Sequence, residues 1–188
     1  MSRLPEARGN KKAPPQDALK SQARQTPPPS GPRLSDPFLN VVLVEPEIPP
    51  NTGTVARLCA GTGCHLILVG KLGFELTDAS LKRAGLDYWK YVSWEHLEST
   101  EAFFEQLPDQ AFHLLSTHAT QPYTRMPVAR GDYLVFGKET KGLPKPVLEA
   151  HPKQCYTIPI IEPGVRSLNL GLAAGVVVYD ALRRITPF

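Results

Sequence analysis

Cysteine is scarce in this chain: three in 188 residues, Cys59, Cys64 and Cys155, an odd number at spacings that match no disulfide framework. That scarcity argues against a small disulfide-stapled fold and fits a reducing, cytoplasmic setting. Long apolar runs are missing too. None approaches the ~20 residues needed to cross a bilayer. The charged N-terminus has no apolar stretch behind it, so no secretory signal is expected. An excess of charge of one sign is also lacking: the net charge is only +3. It is unevenly placed, with +4 in residues 1–36 and −1 in residues 37–188.

The common nucleotide and metal motifs are absent. Gly61-Thr62-Gly63 has Leu66 where a dinucleotide fingerprint needs a third glycine, and it precedes a strand-like run instead of following one. Gly131 and Gly137 are five residues apart internally, and Lys138 is followed by Glu139, which excludes a phosphate-binding P-loop. Cys59, Cys64 and His65 do not have the spacing of a four-ligand zinc cage. His65 and His113 lie inside strand-like runs and read as buried structural histidines. No G-x-S-x-G elbow supports a serine hydrolase.

What is present divides in two. Residues 1–36 hold Pro5, Pro14, Pro15, Pro27, Pro28, Pro29 and Pro32 and no aromatic residue. They read as a disordered basic arm, either a solvated extension or an auxiliary phosphate contact, with an organellar transit peptide as a third option. From residue 37 to 188 the hydrophobic content suffices for one folded domain. Strands are expected over 38–46, 65–70, 91–93, 111–117, 132–137 and 154–160. Helices are expected over 51–63, 77–85, 95–107, 146–151 and 168–185. In the last helix Leu168, Leu172, Val176, Tyr179 and Leu182 share a face. Strands that are continuous apolar runs, alternating with helices, predict an α/β fold built on a parallel sheet covered on both faces.

Ligands in such sheets sit beyond the carboxyl ends of the strands. Three loops there carry polar groups and glycines. The first, EPEIPPNTGTVAR (45–57), has Asn51 as a possible N-cap and leaves Arg57 off the apolar stripe. The second is GKETKGLP (137–144), with Glu139 between Lys138 and Lys141 and two framing glycines. The third, IPIIEPGVRSLNLG (158–171), gathers Arg166, Ser167 and Asn169 at a helix N-terminus, a place suited to a carboxylate or other anion. Each loop alone is explained as an ordinary cap or charged turn.

In this order the three loops resemble the motifs of the SpoU class of the SPOUT superfamily of RNA ribose methyltransferases, across residues 38–186. RAGLDYW (83–89) is similar to the small single-domain members that 2′-O-methylate the wobble nucleotide of tRNA, cytidine or a modified uridine at position 34. The resemblance implies a C-terminal trefoil knot, S-adenosyl-L-methionine as methyl donor without a metal, and a homodimer packed through helix 168–185. It implies that Leu115, Gly137, Ile158 and Ser167 contact the donor. It also implies that Arg57 acts on the ribose hydroxyl, that Asn51 positions Arg57 or the donor loop, and that Glu139 and Asn169 organise the pocket. Gly171 and Val165 depart from the small hydroxyl residues common in the class. RNA contacts are expected from Lys82, Arg83, Lys90, Arg125, Arg130, Lys138, Lys141 and Arg166, with Tyr88, Trp89 and Tyr123 able to stack on bases; Tyr88 and Trp89 read equally as core aromatics, Trp89 above all. Another tRNA position, ribosomal RNA, or a non-catalytic RNA-binding module remain as alternatives.

Overall fold

The computed structural model describes residues 36–75, 89–107 and 111–186. The predicted helix 77–85, the arm up to residue 35, and Lys82, Arg83 and Tyr88 lie outside the described residues.

Each apolar run forms a short strand: β1 (Asn40–Val44), β2 (His65–Val69), β3 (Trp94–Leu97), β4 (Phe112–Leu115), β5 (Gln121–Pro122), β6 (Tyr133–Phe136) and β7 (Cys155–Thr157). They make one sheet in the order β3-β2-β1-β6-β4-β7-β5, with every pair parallel. Between them lie α1 (Pro49–Thr62), α2 (Thr100–Gln106), α3 (Lys145–Ala150) and, after the sheet, α4 (Leu170–Ile185). Alternate residues of the central strands serve opposite cores. Val41, Leu43, Leu66, Leu68 and Leu134 pack under α1 and α4. Val42, Val44, Ile67, Val69 and Val135 pack against Phe103 of α2 and Leu143. Burial on both faces is why these strands are apolar without alternation.

The structure departs from these expectations in four places. The helix expected over 95–107 begins as strand: Trp94–Leu97 pairs in register with Leu66–Val69. The helix starts only at Thr100, where the Ser99 hydroxyl accepts the Ala102 amide at 3.1 Å. The strand expected at 91–93 does not form: Tyr91 closes a 3-10 turn over Trp89–Tyr91, and the sheet edge is taken by β3. β5, two residues long, had no periodicity to reveal it. The face of α4 is also different. Leu170, Ala174, Val177, Val178, Ala181 and Leu182 are buried, whereas Leu172 and Tyr179 are 56% and 57% exposed. Small residues let α4 lie close to α1: a Cβ on Gly171 would stand 2.7 Å from Thr54 Cγ2. The larger apolar side chains are left on the outer face.

Trp89 is a core residue, as its alternative reading has it, edge-to-face with Trp94 at 5.1 Å and not available to stack on a base. His65 and His113 are buried as expected; His113 Nε2 lies 3.0 Å from Asp132 Oδ2. The three cysteines are free and buried. No helix among the described residues is long and apolar enough to cross a membrane.

Candidate active site

Because every strand runs the same way, the loops after β1, β4, β6 and β7 emerge at one end of the sheet. There they enclose a cleft of about 600 Å³, within the range of small-molecule and cofactor sites. Leu115, Phe136, Ile158 and Leu170 give it an apolar interior. Seven predicted residues line it: Asn51, Leu115, Gly137, Glu139, Ile158, Ser167 and Asn169. Arg57, the eighth, does not. It is exposed on α1, six residues beyond Asn51.

Three of the seven are joined by side-chain hydrogen bonds. One Glu139 carboxylate oxygen accepts Asn51 Nδ2 at 2.9 Å and the Ile48 amide at 3.3 Å; the other accepts the Glu47 amide at 2.9 Å. Asn51 Oδ1 accepts Asn169 Nδ2 at 2.8 Å. Asn169 Oδ1 in turn accepts the amides of Gly171 and Leu172, which makes it the N-cap of α4. A single polar chain therefore runs from the loop after β6, through the first turn of α1, to the start of α4. Each of these side chains pairs with backbone or amide groups of another loop or helix start and so ties the three loops together beside the cleft.

Two local expectations change. Asn51 is not the cap of α1. Ile48 takes that position without a side-chain bond, Pro49 and Pro50 open the helix, and Asn51 sits within the first turn. The start of α4 is not an open anion site either, since Asn169 already occupies its Gly171 and Leu172 amides.

Sequence reasoning missed a second set of braces between the same two loops. Lys138 Nζ pairs with Glu45 Oε2 at 2.5 Å, and this bond raises the lysine's pKa. Glu47 accepts the Thr140 hydroxyl at 2.7 Å. Glu45 adopts a left-handed backbone (φ 48°), uncommon for a side-chain-bearing residue, where β1 turns into the loop. The signal for these contacts was the pair of acids in Glu45-Pro46-Glu47, directly after an apolar strand. Gly137 is obligatory: a Cβ there would fall 2.1 Å from the backbone of Gly142 and Leu143. The loop folds back on itself through a Gly142 amide to Lys138 carbonyl bond of 2.8 Å, with Gly142 at φ 68°. Among the described residues no group of three or more His, Cys, Asp or Glu is placed to hold a metal.

Proteins of similar sequence and fold are numerous. The family model described as the SpoU rRNA Methylase family matches residues 38–179. A Saccharophagus degradans protein named tRNA (cytidine(34)-2′-O)-methyltransferase is 47% identical over 149 residues, which covers 79% of this chain and 96% of the relative. The Escherichia coli K12 protein of the same name is 45% identical, covering 79% and 94%. A solved structure concerned with 2-OH methylation of C/U34 on tRNA superposes with a TM-score of 0.71 at 44% identity, over 78% of this chain and 95% of that one. The Streptomyces viridochromogenes methyltransferase AviRb, solved in complex with AdoMet, shares the fold at 20% identity and a TM-score of 0.68, over 80% of this chain and 59% of its own. By its sequence, its parallel sheet and its three joined loops, the chain belongs to the SpoU rRNA Methylase family.

Proposed function

We infer that this protein is a tRNA (cytidine(34)-2′-O)-methyltransferase that transfers a methyl group from S-adenosyl-L-methionine to the wobble ribose. The observation that carries this reading is the 47% identity to a relative of that name over 96% of the relative's length. The Asn51–Glu139–Asn169 chain supports it from within, because it joins all three motif loops around one cleft.

The cleft fits the donor in size. Its wall at Gly137 has no side chain, and Leu115 and Ile158 give apolar surface for an adenosine. When bound, the donor supplies a methyl group already activated by its positive sulfur. The protein's work is then to orient the two partners and assist loss of the 2′-hydroxyl proton. Glu139, held by three donors, fixes Asn51, and Asn51 fixes the entrance to α4, on which Ser167 and Asn169 border the cleft. A guanidinium stays protonated in the working pH range. Exposed on α1 and outside the cleft, Arg57 is therefore assigned electrostatic contact with a neighbouring phosphate, not proton abstraction.

A homodimer completes the proposal. Leu172 and Tyr179, one turn either side of the half-buried Val176, form an exposed apolar stripe on α4 suited to a second copy. The trefoil knot of the class and a cytoplasmic setting go with the same reading.

The decisive experiment incubates the protein with tritiated donor and either unmodified tRNA or ribosomal RNA, then maps the label. Label at nucleotide 34 is expected. Label confined to ribosomal RNA, or to another tRNA position, would overturn the substrate assignment. Donor binding without transfer to any RNA would favour a non-catalytic module.

A further inference from the structure

The mouth of the cleft carries charge that its interior does not use. Lys138 is paired with Glu45, and Glu139 is turned onto backbone amides and Asn51. That leaves Lys141, in the turn after β6, and Arg166, on the approach to α4. Both are exposed and both line the cleft; neither side chain has an ion-pair or hydrogen-bond partner among the described residues. His118, exposed on the loop after β4, lines the same opening. Three loops thus bring cationic and hydrogen-bonding groups to one rim, although residues 37–188 carry a net charge of −1. The excess is local and is not a by-product of a basic protein.

Of the other described cations expected to meet RNA, Arg125 is exposed on the 3-10 turn Tyr123–Arg125 and does not line the cleft. Arg130 is paired with Asp36, and Lys90 lies against the Tyr91 ring at 4.9 Å. Neither lines the cleft. A ligand that enters the cleft meets an apolar floor at Leu115, Phe136, Ile158 and Leu170, whereas Lys141, Arg166 and His118 are solvent-exposed on three loops. Such a rim fits a polyanion too large to enter, with charges repeated along a chain. Resting on the methyltransferase reading above, we propose that Lys141 and Arg166, with His118 beside them, clamp the RNA phosphates that flank the target nucleotide. The clamp holds the strand while one ribose is presented to the cleft.

The test compares the wild type, Lys141→Gln/Arg166→Gln and Lys153→Gln, an exposed lysine outside the cleft. Binding of an unmodified tRNA transcript is followed by fluorescence anisotropy over a series of KCl concentrations, and donor binding by calorimetry with S-adenosyl-L-methionine. The double variant is expected to flatten the dependence of log affinity on log salt by roughly 0.7 per lost contact. It should raise KM for tRNA and leave donor affinity unchanged, while Lys153→Gln leaves the slope as it is. An unchanged slope in the double variant overturns the clamp. So does weakened donor binding at constant slope, which would give these cations to the donor, and so does an equal loss of slope in Lys153→Gln. If the wild type methylates ribosomal RNA and not tRNA, the site-34 assignment fails by itself, and the same slope measured on ribosomal RNA judges the clamp.

Discussion

Asn51 and Asn169 are 118 positions apart and share a hydrogen bond of 2.8 Å, with each side chain also engaged on its far side. Asn51 donates to Glu139, and Asn169 caps α4. The start of α1 and the start of α4 are therefore set against each other by two amide side chains, and the cleft lies beside that joint.

Breaking the joint should affect transfer more than folding. Asn51→Ala leaves one Glu139 oxygen with only the 3.3 Å Ile48 amide and deprives Asn169 Nδ2 of its acceptor. Asn169 is exposed and Glu139 only half-buried, so water replaces part of what is lost and the cost to folding is about 1 kcal/mol. A displacement of comparable cost in the transition state would slow single-turnover methylation by roughly fivefold or more, with a small change in melting temperature. Glu139→Gln is expected to do the same, since its amide would face the Glu47 N–H, a donor against a donor.

Gly171 should not accept the side chain common in its class. In Gly171→Ser the new Cβ would meet Thr54 Cγ2 at 2.7 Å and Thr54 Cβ at 2.9 Å. Overpacking of this kind costs about 1–3 kcal/mol. Thermal unfolding should show the loss, and Thr54→Ala, which removes the nearer atom, should recover part of it. Full stability in the single variant would refute the packing account.

Alkaline pH should destabilise the fold through its buried thiols. Burial pushes the Cys59 thiol well up and the Cys64 and Cys155 thiols up; it likewise raises Tyr133 and Tyr156. For a group whose folded pKa lies above its unfolded value, the unfolded chain loses its proton first. The stability it contributes is complete below the unfolded pKa and is lost as pH rises through the folded one. Lys138, raised by Glu45, has the same sign. Melting temperature should therefore decline above about pH 8.5, the ordinary thiol value. Cys59→Ala/Cys64→Ala should show a shallower alkaline limb.

The outer face of α4 makes a prediction about assembly. Leu172→Glu/Tyr179→Glu places two charges on the exposed apolar stripe and touches none of the buried α4 residues. Light scattering should report a dimer for the wild type and a monomer for the variant, with far-UV dichroism unchanged. A monomeric wild type would remove the homodimer from the proposal.

The strands with apolar side chains on both faces, β1, β2, β6 and much of β4, were legible because burial on two sides forces a continuous run. β3 was not. Trp94-Glu95-His96-Leu97 lies at the sheet edge, where one face is only half-buried, and its pairing with β2 is a relation between distant segments. On α4 apolar residues occupy most of the circumference, so periodicity alone does not choose the inner face; Gly171 against Thr54 does. Seven of the eight site residues line the cleft, yet Asn51 was read locally as a cap. Its partners are 88 and 118 positions away, beyond the reach of any capping rule.

Asp36 is tied to Arg130 by hydrogen bonds from Nε and Nη2, each 3.0 Å long, and the same guanidinium lies 4.2 Å from the centre of the Phe38 ring. These contacts sit where β1 and β6 begin, and the cleft sits where they end. The five residues of β1 alone put about 16 Å between the two levels. Whatever precedes Asp36 joins the domain from the side facing away from the reacting ribose. A chain lacking residues 1–35 should bind tRNA more weakly and still mark the same position.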